Sequence, residues 1–185
     1  MSFVVRNLFL GLAFLFLGCQ QPAVTVISVE HALQRIENVD VDLGHYPSYS
    51  EYHHRVYRQE DDVVRQISSV SELKTLFLEC NQRWKSAPEM PQERLQWVDP
   101  HCEAQNAILF RLADINSGEA TKVLIDLYAD ETLGWDGEFS LNAGNAISRC
   151  GSKALPHLAK LQLGARKGAI QRIMSCIEKG ERYGP

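Results

Sequence analysis

The sequence predicts a mainly α-helical protein of antiparallel helix pairs, preceded by an irregular or extended N-terminal segment. From residue 69 onward, apolar side chains recur every three or four positions, which is the spacing of one helix face. These stretches follow one another through short connections, and short connections favour antiparallel neighbours that share a core. Between residues 39 and 43, apolar and polar side chains alternate instead, which favours an extended segment.

Capping residues mark where several of these helices begin and end. Ser69 followed by Glu72 forms a capping box, and Asp99 is typical of an N-cap. Gly151 predicts a left-handed helix end, and Ser152 is expected to cap the next helix. The predicted apolar faces, in chain order, are Val29, Leu33 and Ile36; Leu73, Leu76, Phe77, Cys80 and Trp84; Ala104, Ile108, Leu112 and Ile115; Ala120, Val123, Leu124 and Leu127; Phe139, Ala143, Ala146, Ile147 and Cys150; Leu155, Leu158 and Ala159; and Ala169, Ile170, Ile173, Met174 and Ile177.

The first 18 residues have the features of an export signal. Arg6 is the only charged side chain before Cys19, and residues 8–17 form an apolar run interrupted by one glycine. This run is too short for a membrane-spanning helix, which needs about 20 residues. A positive start, a short apolar run and a small residue before a cleavage point predict a signal peptide.

The motif at the end of this segment, Phe16-Leu17-Gly18-Cys19, resembles the bacterial lipobox, with Phe16 in place of the usual leucine. The resemblance implies cleavage before Cys19, lipidation of that cysteine and a lipid-anchored location in the bacterial cell envelope. Gln20 resembles the residue that follows the cysteine in lipoproteins sent to the outer membrane, where the protein would face the periplasm. The alternative is an ordinary signal peptide followed by an incidental cysteine.

The distribution of charge excludes one class of partner and suggests another. The chain has 23 acidic and 19 basic residues, and this net acidity argues against binding to nucleic acid. Residues 28–62 contain eight acids and three bases, whereas residues 152–185 contain seven bases and two acids. The basic end either meets an anionic protein or lipid headgroups, or is a solvated surface that suits helix C-termini. The sequence favours the solvated surface.

The cysteines suggest cross-links. Besides Cys19 the chain contains Cys80, Cys102, Cys150 and Cys176. In an oxidising compartment an even number of cysteines predicts disulfides. The preferred pairs are Cys80–Cys102 and Cys150–Cys176, because each closes a local loop, although three connectivities are open. Buried thiols that pack as small apolar side chains are the alternative.

The segment Ala146–Leu158 resembles a HEAT-type repeat of the bacterial kind, with a first helix that ends at glycine and a second that carries Ala, Pro and Leu. Residues 112–124 resemble a weaker copy. The resemblance implies a short HEAT-like solenoid of stacked helix pairs that acts as a protein-binding scaffold without chemistry of its own. The expected organisation is a signal peptide (1–18), a tether (19–28), an N-terminal helical or irregular region (29–98) and HEAT-like repeats (99–185).

Sequence motifs for catalysis are missing: the chain has no Gly-x-Ser-x-Gly, His-Glu-x-x-His, glycine-rich phosphate loop or Cys-x-x-Cys. The one metal-like group combines His45 and Glu51 with the adjacent His53 and His54. Adjacent side chains point apart on helices and strands alike, so this group is interpreted as a polar surface segment. We expect no catalytic residue, no metal site and no cofactor.

Aromatic side chains give a weak indication of a binding surface. Tyr46, Tyr49 and Tyr52 crowd one stretch, and Trp135 lies in a predicted turn, Gly134–Gly137. Tyrosine and tryptophan are common at interfaces because they bury a large area and keep a polar group. These four residues are candidate binding residues, and Trp135 is alternatively a cover over the core.

The leading hypothesis is a membrane-anchored, non-enzymatic protein-binding module that recruits or masks another envelope protein. The alternative is an immunity lipoprotein that inhibits a toxin or effector enzyme delivered by a rival cell. A third hypothesis, an envelope hydrolase or metal-binding protein, has no supporting motif in the sequence. A fold alone does not decide among these functions.

Overall fold

The computed structural model describes residues 25–39, 49–86, 99–134, 137–161 and 166–184, and within these ranges it contains eight α-helices and no strand. The mainly α-helical prediction is therefore confirmed. The extended segment expected between residues 39 and 43 falls almost entirely outside the described residues. The helices are α1 (Val29–Glu37), α2 (Tyr49–Val64), α3 (Val70–Ser86), α4 (Pro100–Ile115), α5 (Gly118–Ala129), α6 (Gly137–Arg149), α7 (Leu155–Leu158) and α8 (Lys167–Lys179).

The predicted caps at the starts of α3 and α4 are confirmed. The Ser69 hydroxyl accepts a hydrogen bond from the Glu72 backbone N–H at 3.1 Å and donates one to the Glu72 carboxylate at 2.7 Å. The Asp99 carboxylate accepts a hydrogen bond from the His101 backbone N–H at 2.7 Å. Each cap satisfies a first-turn N–H group that has no partner inside its helix.

The chain around Gly151 corrects one prediction. Gly151 adopts the expected left-handed backbone, with φ of +62°. Ser152, however, does not cap a helix, because residues Gly151–Lys153 form a 3₁₀ turn and α7 begins only at Leu155 without a side-chain cap. The Ala154 N–H already bonds to the Gly151 carbonyl at 3.0 Å, so the backbone is turned before the α-helix starts.

Helix α2 was not predicted from the sequence. Its buried face carries Val56, Glu60 and Val63, each at most 2% exposed. A carboxylic acid in the middle of this face breaks the apolar pattern by which a helix is recognised. Packing against α4 therefore stabilises a helix whose periodicity is obscured by one residue.

One hydrophobic core joins the helices, and α4 lies at its centre. α4 packs against α1, α2, α3, α5 and α6. Helices on both sides of residue 99 contribute to this core. α1 packs against α2, α3 and α4, whereas α8 packs against α6 and α7. We call the succession of neighbouring helices from α1 through α4 and α6 to α8 the packing order, and α1 and α8 lie at its opposite ends.

The disulfides predicted for Cys80–Cys102 and Cys150–Cys176 are not formed in the structure, where all four residues are thiols. Cys80 and Cys150 are buried and pack within the core as small apolar side chains. The Cys150 Sγ donates a hydrogen bond to the Ala146 carbonyl at 3.6 Å. Burial raises the pKa of the Cys80 and Cys150 thiols, which keeps both in the unreactive protonated form.

No helix within the described ranges has both the length and the apolar character needed to cross a membrane.

Candidate binding surface

The sequence-predicted site residues are distributed as follows. Cys19, Tyr46 and Trp135 lie outside the described residues. Tyr49 and Tyr52 both belong to the first turn of α2. The aromatic binding residues and the lipidation site therefore stay predictions.

The metal-like group is only partly described. His45 lies outside the described residues, and the Glu51 carboxylate pairs with Arg55 one turn later at 3.3 Å. Among the residues that the structure describes, no three His, Cys, Asp or Glu side chains are placed to hold a metal ion. Glu51 instead forms an exposed helical ion pair of the kind that contributes little to stability.

The exposed basic residues of the C-terminal part, on and around α8, are together called the cationic end. Its exposed members have no carboxylate within ion-pair distance among the described residues, in contrast to Glu37, Glu51 and Asp61, which pair with arginines. These basic side chains therefore make no ion pair within the described residues, and the exposed acids in the same stretch are Glu178 and Glu181. The exposed members of the cationic end are Lys153, Lys160, Lys167, Arg172, Lys179 and Arg182.

Helix α8 supplies most of this surface. Ile170 and Ile173 are at most 2% exposed and face the core, so the polar side chains of the helix project to solvent. Lys167, Arg172 and Lys179 are all exposed. The amphipathic pattern that holds α8 in place thus also presents its cations outward.

A cleft of about 680 Å³ opens at the first turn of α8. Arg166, Arg172 and Ser140 line it, together with Glu131. The Arg166 guanidinium lies over the buried Tyr128 ring, 4.9 Å from the ring centroid, which fixes one cation at the cleft wall. The N-terminus of α8 carries no side-chain cap, and the dipole of a helix favours negative charge at this end.

A second groove, of about 820 Å³, lies beside the other end of α8. Gly180, with φ of +68°, ends the helix in a Schellman motif, in which the Glu181 N–H bonds to the Cys176 carbonyl at 2.9 Å. This turn directs Tyr183 back onto α6, where its ring is 7% exposed and lies against Gly144. Burial raises the pKa of Tyr183, so its phenol stays neutral in this groove.

Polar groups are also buried where α3, α4 and the 3₁₀ turn after α5 meet. The Asn81 amide donates hydrogen bonds to the Gln105 side chain and to the Leu133 carbonyl, both at 3.1 Å. At the start of α4, the Asp99 carboxylate lies 2.9 Å from the His101 ring Nδ1. The Asn81 bonds join separate elements in the interior and the Asp99–His101 contact caps α4, so we assign both a structural role.

The sequence contained a partial signal for the cationic end. The sequence shows an excess of bases after residue 152, but this pattern alone favours an ordinary solvated surface. The cleft could not be predicted, because it joins Ser140 on α6 to Arg166 and Arg172 through a fold that only the structure provides.

Comparisons of the chain with protein-family models, with curated proteins and with solved structures find no match.

Proposed function

We propose that the protein is a lipid-anchored binding module of the bacterial cell envelope that has no catalytic activity and presents its cationic end to an acidic surface of another envelope protein. The observation that carries this proposal is the set of exposed bases on and around α8 that have no described carboxylate partner. Un-neutralised surface charge of one sign speeds the association of a partner of opposite sign and selects against partners of like charge.

The anchor rests on Phe16-Leu17-Gly18-Cys19, the lipobox-like motif. Within the tether expected between Cys19 and α1, residues 19–28, Ile27 is 7% exposed in the core and its N–H bonds to the Gln66 carbonyl at 3.2 Å. The link to the lipid is therefore at most residues 19–26, about 28 Å when extended. α1 is the helix closest to Cys19 along the chain, and α8 lies at the opposite end of the packing order. This arrangement favours a protein partner over the headgroups of the same membrane.

The helix contacts support HEAT-like stacking as the scaffold for this surface. α4, α6 and α8 pack in succession, and α5 packs on α7 beside them. Such a two-layer order is what stacked helix pairs produce. The short α7, extended by a 3₁₀ turn on either side, would be the second helix of the last full pair.

The anchor is tested by the intact mass of the protein isolated with its membranes. The proposal expects loss of residues 1–18 and the added mass of acyl chains on Cys19. The Cys19→Ser variant, which keeps the rest of the signal, is expected to leave the membrane fraction. An unlipidated mass for the unaltered chain contradicts the anchor.

The partner is tested by photo-crosslinking in the bacterium that makes the chain. A photoreactive amino acid replaces Arg172 or Lys179 on α8, and Gln34 on α1 serves as the matched exposed control. We expect one discrete crosslinked protein from the α8 positions, at a yield that falls with added salt, and none from α1. Crosslinks from α1 alone contradict the proposal, and a toxin as the crosslinked protein assigns the chain to the immunity lipoproteins.

A further inference from the structure

Glu60 is a carboxylic acid inside the hydrophobic core. It lies on α2 one turn after Val56 and is 0% exposed. Neither oxygen of its carboxyl group has a hydrogen-bond partner among the described residues. A buried polar group without a partner is rare in folded proteins, and each one calls for an explanation.

The groups that face Glu60 come from three neighbouring segments. From α4 and its N-cap these are Glu103, which is 3% exposed, and Asp99, which pairs with His101. From α3 the group is the Cys80 thiol, whose pKa a negative charge on Glu60 would raise. From α1 the cation is Arg35, whose guanidinium donates a hydrogen bond to Gln66 at 2.9 Å. Acidic groups therefore outnumber the single cation around this carboxyl.

Such surroundings disfavour a negative charge on Glu60. An ionised carboxylate in the core would lose its hydration without gaining a hydrogen bond or an ion pair. Burial, together with the charges of Glu103 and Asp99, raises the pKa of Glu60 from 4.5 to about 8. The carboxyl group is consequently protonated and neutral at pH 7.

We propose that Glu60 is a proton-binding site that couples the packing of α2 against α4 to the pH. With the proton bound, the neutral carboxyl is tolerated between Val56 and Val63 in the core. When the proton is lost, the charge draws water toward α2 and loosens its contact with α4. This inference is independent of the lipid anchor and of the partner.

The sign of the pH dependence follows from proton linkage. The folded chain holds the Glu60 proton up to about pH 8, whereas the unfolded chain holds it only up to about pH 4.5. The stabilisation is thus complete below pH 4.5 and is lost as the pH rises through 8. Between these limits the unfolding equilibrium constant rises about tenfold per pH unit through this one group.

The experiment compares denaturant unfolding of the full chain with that of two variants from pH 5 to pH 9. Glu60→Gln replaces the protonated acid with a neutral group of the same shape, and Asp62→Asn removes an exposed acid from the same helix. We expect the unfolding constant of the unaltered chain and of Asp62→Asn to rise by up to about a thousandfold over that of Glu60→Gln across this range. Equal pH dependence in all three proteins overturns the proposal.

Two further measurements cover the case in which Glu60→Gln does not fold. Calorimetric unfolding of the unaltered chain at pH 6.5, in buffers of different ionisation enthalpy, is expected to release about one proton to solvent through Glu60. Hydrogen exchange of the α2 amides is expected to accelerate between pH 7 and pH 9 more than exchange in α5, after correction for intrinsic rates. Unfolding without proton release, or equal acceleration in both helices, overturns the proposal.

Discussion

Two single residues stabilise this fold in different ways: Gly144 leaves room for a neighbouring ring, and Asn81 makes buried hydrogen bonds. Gly144 lies on α6 where the Tyr183 ring returns from the C-terminal segment, and a Cβ at this position would overlap that ring. The sequence gives no indication of this contact, because the two residues are distant in the chain and neither belongs to a motif. Asn81 is a comparable case, a polar residue on the apolar face of α3 whose partners lie on other elements.

Replacing Gly144 with alanine is expected to destabilise the fold by about 1–3 kcal/mol, because the Tyr183 ring must move. The matched control is Gly168→Ala on α8, where a Cβ meets no atom within 4 Å and alanine is expected to stabilise by about 0.5–1 kcal/mol. Urea unfolding measures both free energies of unfolding. If the two variants are equally stable, the Tyr183 contact is not as described.

The Asn81→Ala variant is expected to lose about 1–3 kcal/mol of stability, because the Gln105 side chain and the Leu133 carbonyl are left buried without this donor. Asn142→Ala provides the control, since Asn142 makes one half-buried bond, to Asn106 at 3.1 Å. A thermal unfolding midpoint for Asn81→Ala as high as that of the control would show that the Asn81 bonds contribute no more than the half-buried Asn142 bond.

At the scale of helices, the sequence determined most of the structure through local signals. The boundaries of α3 and α4 follow from Ser69 and Asp99, whose caps depend only on residues two or three positions away. α2 was missed because Glu60 interrupts its apolar face and only packing in the folded state explains that residue. The disulfides were predicted from compartment and spacing, whereas the core accommodates Cys80 and Cys150 as apolar side chains.

Removal of the α4 cap by Asp99→Ala is expected to cost about 0.5–2 kcal/mol. Burial alone would raise the pKa of Asp99, but hydrogen bonds from His101 outweigh it and hold the pKa below its usual value of 3.8. The stabilisation of the fold by the ionised Asp99 carboxylate is therefore present above about pH 4 and is lost as the pH falls through the folded-state pKa of Asp99.

The measurement is denaturant unfolding at pH 7 and pH 3, with Asp99→Asn as the control that keeps an acceptor oxygen but not the charge. We expect the gap in stability between the unaltered chain and Asp99→Asn to narrow at pH 3. A gap that stays constant with pH would mean that the ionised form of Asp99 is not favoured by the fold.

The whole molecule is organised by a separation of charge along the order of its helices. Acids predominate in the N-terminal part and bases after residue 152, and the fold places α1 and α8 at opposite ends of the packing order. The sequence alone shows that acids and bases are separated along the chain. It could not establish which of these bases stay exposed without a described carboxylate partner, because that depends on which side chains the fold brings near them.

Binding of the cationic end to an acidic protein surface is tested by the affinity for the crosslinked partner after charge reversal. The double variant Arg172→Glu and Lys179→Glu is compared with Lys74→Glu, an exposed lysine of α3, by surface plasmon resonance at low and high salt. We predict at least about tenfold weaker binding of the double variant, mainly through slower association at low salt, and no change for Lys74→Glu. Unchanged affinity of the double variant would contradict the claim.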